Sequence, residues 1–368
     1  MMQIHKFPVK TAPYFDKISN TLPDGFCLFD IETTGLSPDR SYLYLIGILK
    51  KECGSWQLTQ WFCDSPLDEK HAIGAFAEAL PEVSCLIHFN GRSFDIPYLK
   101  HKCVHYGLCD FLSQIPELDL YAALRPYRSM LPAASMKQQD LELLAGSDRT
   151  DDKSGKELIS IYREYLGTAD HRFLEMLLRH NREDLAGMTW ILPLLTIDRL
   201  FEGDFEVLGM TEQERTITLP LQTEHPLPVS FTCSREGFCL SGGPDSLSLS
   251  AGRFDGSLKF FFPDCKNYYY LPDEDTAVHK SIGCYVERGH RVQATKKNCY
   301  QKKSGSYVLL PPGYACENPV FGQDHRMERR WCLYEDFSKL SDFKSYAHAA
   351  LQYVRPGKQQ APKKWTDI

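Results

Sequence analysis

Between Phe26 and Leu192, strand-length apolar runs come first and then alternate with helix-period stretches. That order leaves few folds open. Phe26-Cys27-Leu28-Phe29-Asp30 is a short apolar run closed by Gly35 and Pro38, which predicts a buried strand. Tyr42 to Leu49 and Trp56 to Phe62 predict two more, joined at Cys53-Gly54. From Asp68, apolar residues fall at helical spacing at Ile73, Phe76 and Leu80, and Pro81 ends the helix. Cys85 to Phe89 then predicts a strand, Ser93 to Tyr106 a helix stopped by Gly107, and Leu118 to Tyr121 another strand. Met136 to Leu144, Glu157 to Leu166 and Arg172 to Leu192 predict helices, and residues 1–23 an irregular lead-in. Strands followed by alternating strands and helices indicate an α/β layer fold.

The pattern changes near Gly203. Short alternating runs take over at Thr216–Leu219, Val229–Phe231, Leu247–Leu249, Leu258–Phe262 and Tyr307–Leu310, punctuated by Gly, Pro, Asn and Asp. Helices are predicted at Thr276 to Arg288 and Phe343 to Val354. The expected organisation is a catalytic domain over 1–203, a smaller β-rich accessory domain over 204–354 and a flexible basic tail over 355–368. Charge divides at the same place. Residues 1–203 hold 21 Lys+Arg against 28 Asp+Glu, and the remainder holds 21 against 20.

With a net charge of -6, the chain has no global basic field, so any polyanion must be met by local basic surface or by bound cations. Thirteen cysteines occur without one Cys-x-x-Cys pair, which supports neither a zinc site nor a disulfide framework, and points to reduced thiols in a cytoplasmic protein. The first thirty residues carry Pro8, Pro13 and Pro23 and no apolar core of a signal peptide. The longest apolar run, Tyr42 to Leu49, is too short for a membrane span, which needs about 20 residues.

Three segments carry chemistry. Asp30 and Glu32 lie two apart at the end of the first core strand, so both carboxylates face one way. Asp95 follows Asn90-Gly91 at the start of a helix, after a strand, where open α/β sheets place their ligands. His180 and Asp184 sit one turn apart on the long helix. Four gathered carboxylates repel, by on the order of 4 kcal/mol per pair about 4 Å apart at an effective dielectric near 20. Divalent cations relieve that repulsion, and hard oxygen donors without cysteine suit Mg²⁺ or Mn²⁺ over zinc. Each segment alone has a bland explanation: a solvated strand end, a turn with a helix cap, an exposed helix face.

Taken together, Asp30-Ile31-Glu32-Thr33-Thr34-Gly35-Leu36, Asn90-Gly91 with Phe94-Asp95, and His180-Asn181 with Asp184 resemble the three motifs of the DEDD exonuclease superfamily, and within it the YprB-type ribonuclease-H-like domains. The resemblance covers roughly residues 24–200. It implies a ribonuclease-H-like mixed sheet with flanking helices and two-metal 3′-to-5′ hydrolysis of nucleic acid. Carried over, Asp30, Glu32, Asp95 and Asp184 are metal ligands for two Mg²⁺ or Mn²⁺ ions, Asp30 bridges them, and His180 is the general base. Only three residues separate His180 from Asp184, the spacing of the superfamily's tyrosine branch, where its histidine branch has four. His180 therefore has two further roles open to it, orienting Asp184 or touching the scissile phosphate.

Thr33, Thr34, Leu36 and Asn90 adjoin the motifs, as contacts to the terminal nucleotide or as turn residues. Asp119 is either a further acid of the site or a strand-end cap, and Arg125, Tyr127 and Arg128 either track phosphates or form a solvated face. Lys280, Arg288, Arg291, Lys296, Lys297, Lys302 and Lys303, interleaved with Tyr285, Tyr300 and Tyr307, suit a single strand or are plain solvated surface. The expected function is a 3′-to-5′ exonuclease acting on single-stranded nucleic acid or a 3′ end, DNA or RNA. The alternatives are a catalytically silent nucleic-acid-binding scaffold and a structure-selective endonuclease. Oligomeric state is not legible.

Overall fold

Six strands form one sheet in the N-terminal part of the chain: β1 (Met2–Pro8), β2 (Cys27–Thr33), β3 (Leu43–Glu52), β4 (Ser55–Cys63), β5 (Leu86–His88) and β6 (Glu117–Asp119). The computed structural model describes residues 1–151 and 153–357, and the basic tail lies outside them from Lys358 onward. Spatial order is β1-β4-β3-β2-β5-β6, antiparallel from β1 to β2 and parallel from β2 through β6. The hairpin between β3 and β4 turns at Cys53 and Gly54, both at positive φ, as a tight turn of primed type requires.

Helices cover both faces. α1 (Phe15–Ser19) precedes β2, and α2 (Glu69–Glu78) and α3 (Asp95–Tyr106) pack against Cys27, Phe29 and Ile31 through Ile73, Phe76, Tyr98 and Leu99. After the short α4 (Leu120–Leu124) and α5 (Gln138–Leu144) come α6 (Gly155–Thr168) and α7 (His171–Ile191). These two close the other face, where Tyr162, Leu174 and Leu178 meet Tyr44, Leu45 and Phe62. α3 stops at Gly107 with φ 65°, the left-handed cap read from the sequence.

One glycine sets how near α7 comes to the sheet. Gly47 on β3 stands opposite Asp30 in register, and a Cβ there would lie 2.1 Å from Asn181 Oδ1 and 2.6 Å from Leu185 Cδ1. The bare backbone at position 47 lets the helix seat against β2.

Three predictions are corrected. The lead-in is not irregular: Met2–Pro8 is a full edge strand paired with β4, its alternation masked because an edge strand buries neither face fully. Residues predicted as two strands near 247 and 258 form one strand, Leu247–Phe261, which pairs with Thr216–Gln222 and Phe238–Gly242 in its first part and with Tyr300–Leu310 in its second. The helix predicted from Thr276 is a strand, Thr276–His279, followed by a single helical turn, Lys280–Gly283. There the tyrosine strand Tyr268–Leu271 offers backbone partners that outweigh local helical spacing. The helix at Phe343–Val354 is present as read.

The described residues divide into two compact units, residues 1–198 with 225–230 and 356–357, and residues 199–224 with 231–355. The second is β-rich, with a nine-stranded sheet and a separate three-stranded one. Among the described residues, no helix is long and apolar enough to cross a membrane.

Candidate metal centre

Asp30 and Glu32 leave the same face of β2, since residues two apart on a strand point alike, while Phe29 and Ile31 fill the core behind them. Asp95 comes in from the first turn of α3 and is buried; its Oδ1 accepts a hydrogen bond from the Ile31 N–H at 3.3 Å. Gly91 makes room for that approach. A Cβ there would stand 2.8 Å from the His88 ring and 3.2 Å from Asp95 Oδ2. α7 supplies the rest from one stripe: the buried His180 and Asn181 and the partly buried Asp184.

Asn181 Nδ2 donates to Asp30 Oδ2 at 2.9 Å, and Gln60 Nε2 holds the other end of that amide at 2.7 Å. The Tyr44 hydroxyl donates to Glu32 Oε2 at 3.4 Å. His180 Nε2 lies 3.2 Å from Asp184 Oδ2 and 3.6 Å from Glu32 Oε1. Glu32, His180 and Asp184 offer ligand atoms all within 4.8 Å of one another, the only such trio among the described residues. Asp30 and Asp95 are joined to this trio through the field they share.

That field is severe. Burial, then Glu32, Asp184 and Asp95, push the Asp30 carboxyl well above the usual range. Burial lifts Glu32 to about 8 against the pull of His180, and Asp95 to about 6 against that of His88. Burial disfavours charge on His180 too, but Asp184, Glu32 and Asp151 outweigh it and raise the imidazole to about 9. Asp184 goes the other way: although buried, it is held below the ordinary carboxylate range by His180 and Arg149. Excess negative charge that retains protons, or draws in cations, is the donor environment hard divalent ions fit.

A stability prediction follows from these directions. Glu32, Asp95 and His180 all keep protons in the folded protein that the unfolded chain has already released. Folded chelated protein therefore binds more protons across the window from about pH 6 to 9, and its stability falls as pH rises through it, by about 1.4 kcal/mol per unit for each retained proton. Calorimetric melting in chelator should show that decline, and Mg²⁺ or Mn²⁺ should flatten it. A melting temperature that rises from pH 6 to 9 in chelator counts against the shared field.

Several residues of the site were not assigned from sequence. His180 Nδ1 hydrogen-bonds the Asp151 carboxylate, which fixes the ring so that Nε2 faces the acids. Arg149 Nη1 donates to Asp184 Oδ1 at 2.5 Å and lies 3.3 Å from Glu142 Oε1. Glu142 is fully buried against Gly187, where a Cβ would fall 1.9 Å from its Oε1. Gln138 Nε2 ties α5 to α7 through the Asp184 carbonyl at 2.8 Å. The one sequence signal for Arg149 and Asp151 is a polar run between two apolar-period helices.

The residues flanking the motifs fall out differently. Thr33 Oγ1 donates to the Gly35 carbonyl, Thr34 Oγ1 accepts from the Tyr42 N–H, and Asn90 takes a left-handed φ of 61° with its Oδ1 accepting from Ser93. Leu36 is 83% exposed. Asp119 is a cap, accepting from the Ala122 and Asn90 N–H groups. Tyr127 is buried in the core, with Arg125 and Arg128 exposed beside it.

Among curated proteins, none matches this chain. Solved structures similar to it include Escherichia coli exonuclease I in complex with a dT13 oligonucleotide, at 15% identity over 42% of this chain and 43% of that one, with a TM-score of 0.28. The family B DNA polymerase of the hyperthermophilic archaeon Pyrobaculum calidifontis is similar at 10% identity over 90% of this chain and 46% of its own, with a TM-score of 0.39. The chain spans under half the length of either. Residues 27–195 match the RNase_H_2 family model, described as RNase_H superfamily, and with their mixed sheet and flanking helices they carry the ribonuclease-H-like fold.

Proposed function

We propose that this protein is a metal-dependent nuclease that hydrolyses phosphodiester bonds from the 3′ end of a nucleic acid. What supports this most is the convergence of Asp30 and Glu32 from β2, Asp95 from α3 and Asp184 from α7 into one acid group, in which the first three are raised by burial and shared charge and Asp184 is held charged by His180 and Arg149. Such a group has no structural use, since apolar residues would pack there at less cost. Asp30, Glu32, Asp95 and Asp184 would hold the cations, with the Asn181 amide orienting Asp30. Two Mg²⁺ or Mn²⁺ ions, when bound, would supply an acidified water and a counter-charge for the leaving oxygen.

To His180 we assign positioning rather than proton abstraction. Its Nδ1 is held by Asp151, and its raised basicity keeps a proton at neutral pH, so Nε2 fixes Asp184 and Glu32 from one side. Arg149 fixes Asp184 from the other.

The experiment is degradation of 5′-labelled DNA and RNA oligonucleotides, with Mg²⁺, Mn²⁺ or chelator, beside a circular single strand. The expected result is metal-dependent shortening from the 3′ end with the circle intact. Cleavage of the circle would make it an endonuclease. No hydrolysis with either metal would leave a silent nucleic-acid binder.

A further inference from the structure

The second unit exposes apolar side chains where a folded protein ordinarily hides them. Tyr285 is 89% exposed, Ile282 67% and Val292 47%, all within one segment beside the three-stranded sheet Tyr268–Leu271, Thr276–His279 and Val292–Gln293. The segment is not loose. Its helical turn, Lys280–Gly283, packs on Tyr269, leaving a Cβ at Gly283 only 3.0 Å from that ring and from Val278. Arg291 donates from Nη1 to the Gly283 carbonyl, and Lys280 and Arg291 cover the Tyr269 ring at 5.2 and 4.8 Å. Beneath the sheet, Ala277, Ala294 and Cys299 form a small core with Phe262 and Tyr268.

Charge around the patch has one sign. Among the described residues, Lys280, Arg288, Arg291, Lys296 and Lys297 enter no ion pair with a carboxylate, whereas His290 is matched by Asp273 and Lys302 by Asp275. Glu287 is the one acid between residues 279 and 303. Of the other tyrosines the sequence pointed to, Tyr300 and Tyr307 are buried, so neither offers a ring face to a partner. Tyr285 does.

We infer that Ile282 and Tyr285, with Lys280, Arg288, Arg291, Lys296 and Lys297 around them, form a docking surface for single-stranded nucleic acid. Exposed bases stack on Tyr285 and wedge against Ile282, and the cations that face no carboxylate take the phosphates. This rests on the nuclease function proposed above and names the surface that grips the strand. Unpaired cations fit a polyanion, and an exposed ring on a pinned turn fits an unstacked base, which a duplex does not present.

The test is fluorescence anisotropy of the full chain with labelled dT and rU oligonucleotides in chelator, where no strand is cut. Tyr285→Ala with Ile282→Ala should weaken binding roughly tenfold or more, as loss of a base stack does. Five phosphate contacts on a single strand predict a slope of log K against log salt of about -3.5, and Lys296→Glu with Lys297→Glu should flatten it by more than one. These side chains are exposed, so circular dichroism melts should match the parent. Binding unchanged in both double variants overturns the inference, as does loss of binding to anionic lipid vesicles with oligonucleotide binding intact, which would make the patch a membrane surface. Failure of the nuclease proposal looks different: the strand binds through these residues, yet no metal supports its hydrolysis.

Discussion

Asp30→Asn is expected to lower hydrolysis by on the order of a thousandfold or more while raising the melting temperature of the chelated protein. The two effects share one cause. Burial, then Glu32, Asp184 and Asp95, disfavour charge on the Asp30 carboxyl, so its charge destabilises the fold and only a bound cation makes it useful. Asparagine keeps the shape and still accepts the Asn181 amide with its oxygen, so the contact at 2.9 Å survives and the repulsion does not. The same substitution should shallow the fall in stability between pH 6 and 9, because fewer neighbours then need to hold protons. Turnover within tenfold of the parent, with metal present, would remove Asp30 from the ligand set. A melting temperature that drops would mean that Asp30 is paired in a way the geometry does not suggest.

Strand and helix periods put the acids on shared faces, whereas their reading as one site, Asp95 included, came from the resemblance of the three motifs taken together. Asp30 and Glu32 need only a strand, and His180 and Asp184 need only a helix. What supports those residues was hidden because it depends on which elements touch. Asn181 carried no assigned role, yet its amide bridges Asp30 and Gln60, and that requires Gly47 to admit α7 against β3. Asp151 and Arg149 lie in a polar stretch between α5 and α6 that reads as an ordinary loop. Only the packing of α5 and α6 on α7 brings it over His180 and Asp184. The fold shows the same split. Fully buried strands such as β2 and β3 were plain in the apolar pattern, whereas β1 hides as an edge, with Ile4 half exposed. In the second unit, Thr276–His279 is a strand because Tyr268–Leu271 lies beside it, which no local propensity encodes.

Arg149→Ala should cost roughly 3–5 kcal/mol of stability at pH 8, which is about ten degrees in melting temperature for a unit of this size. Arg149 is nearly fully buried, and its guanidinium faces Asp184 at 2.5 Å, Glu142 at 3.3 Å and Asp151 at 3.6 Å. Removing it takes the guanidinium from among these three carboxylates, and the fully buried Glu142 cannot turn to solvent past Gly187. The loss should shrink toward pH 6. Burial pushes Glu142 to about 7 even against the pull of Arg149, so without the guanidinium it keeps its proton toward pH 6 and stays neutral, and the cost grows as rising pH forces a charge on it. Arg149→Lys should fall between, since one ammonium cannot reach Glu142 and Asp184 together as the planar fork does. Divalent metal should restore more stability to the alanine variant than to the parent, because Asp184 loses its one permanent cation and gains a stronger need for another. Denaturant melts at pH 6 and 8, with and without Mn²⁺, would check all four arms. A loss under about 1 kcal/mol at pH 8 would place Arg149 among solvent-screened surface pairs, and His180 would then be the one fixed cation beside Asp184 in the metal-free protein.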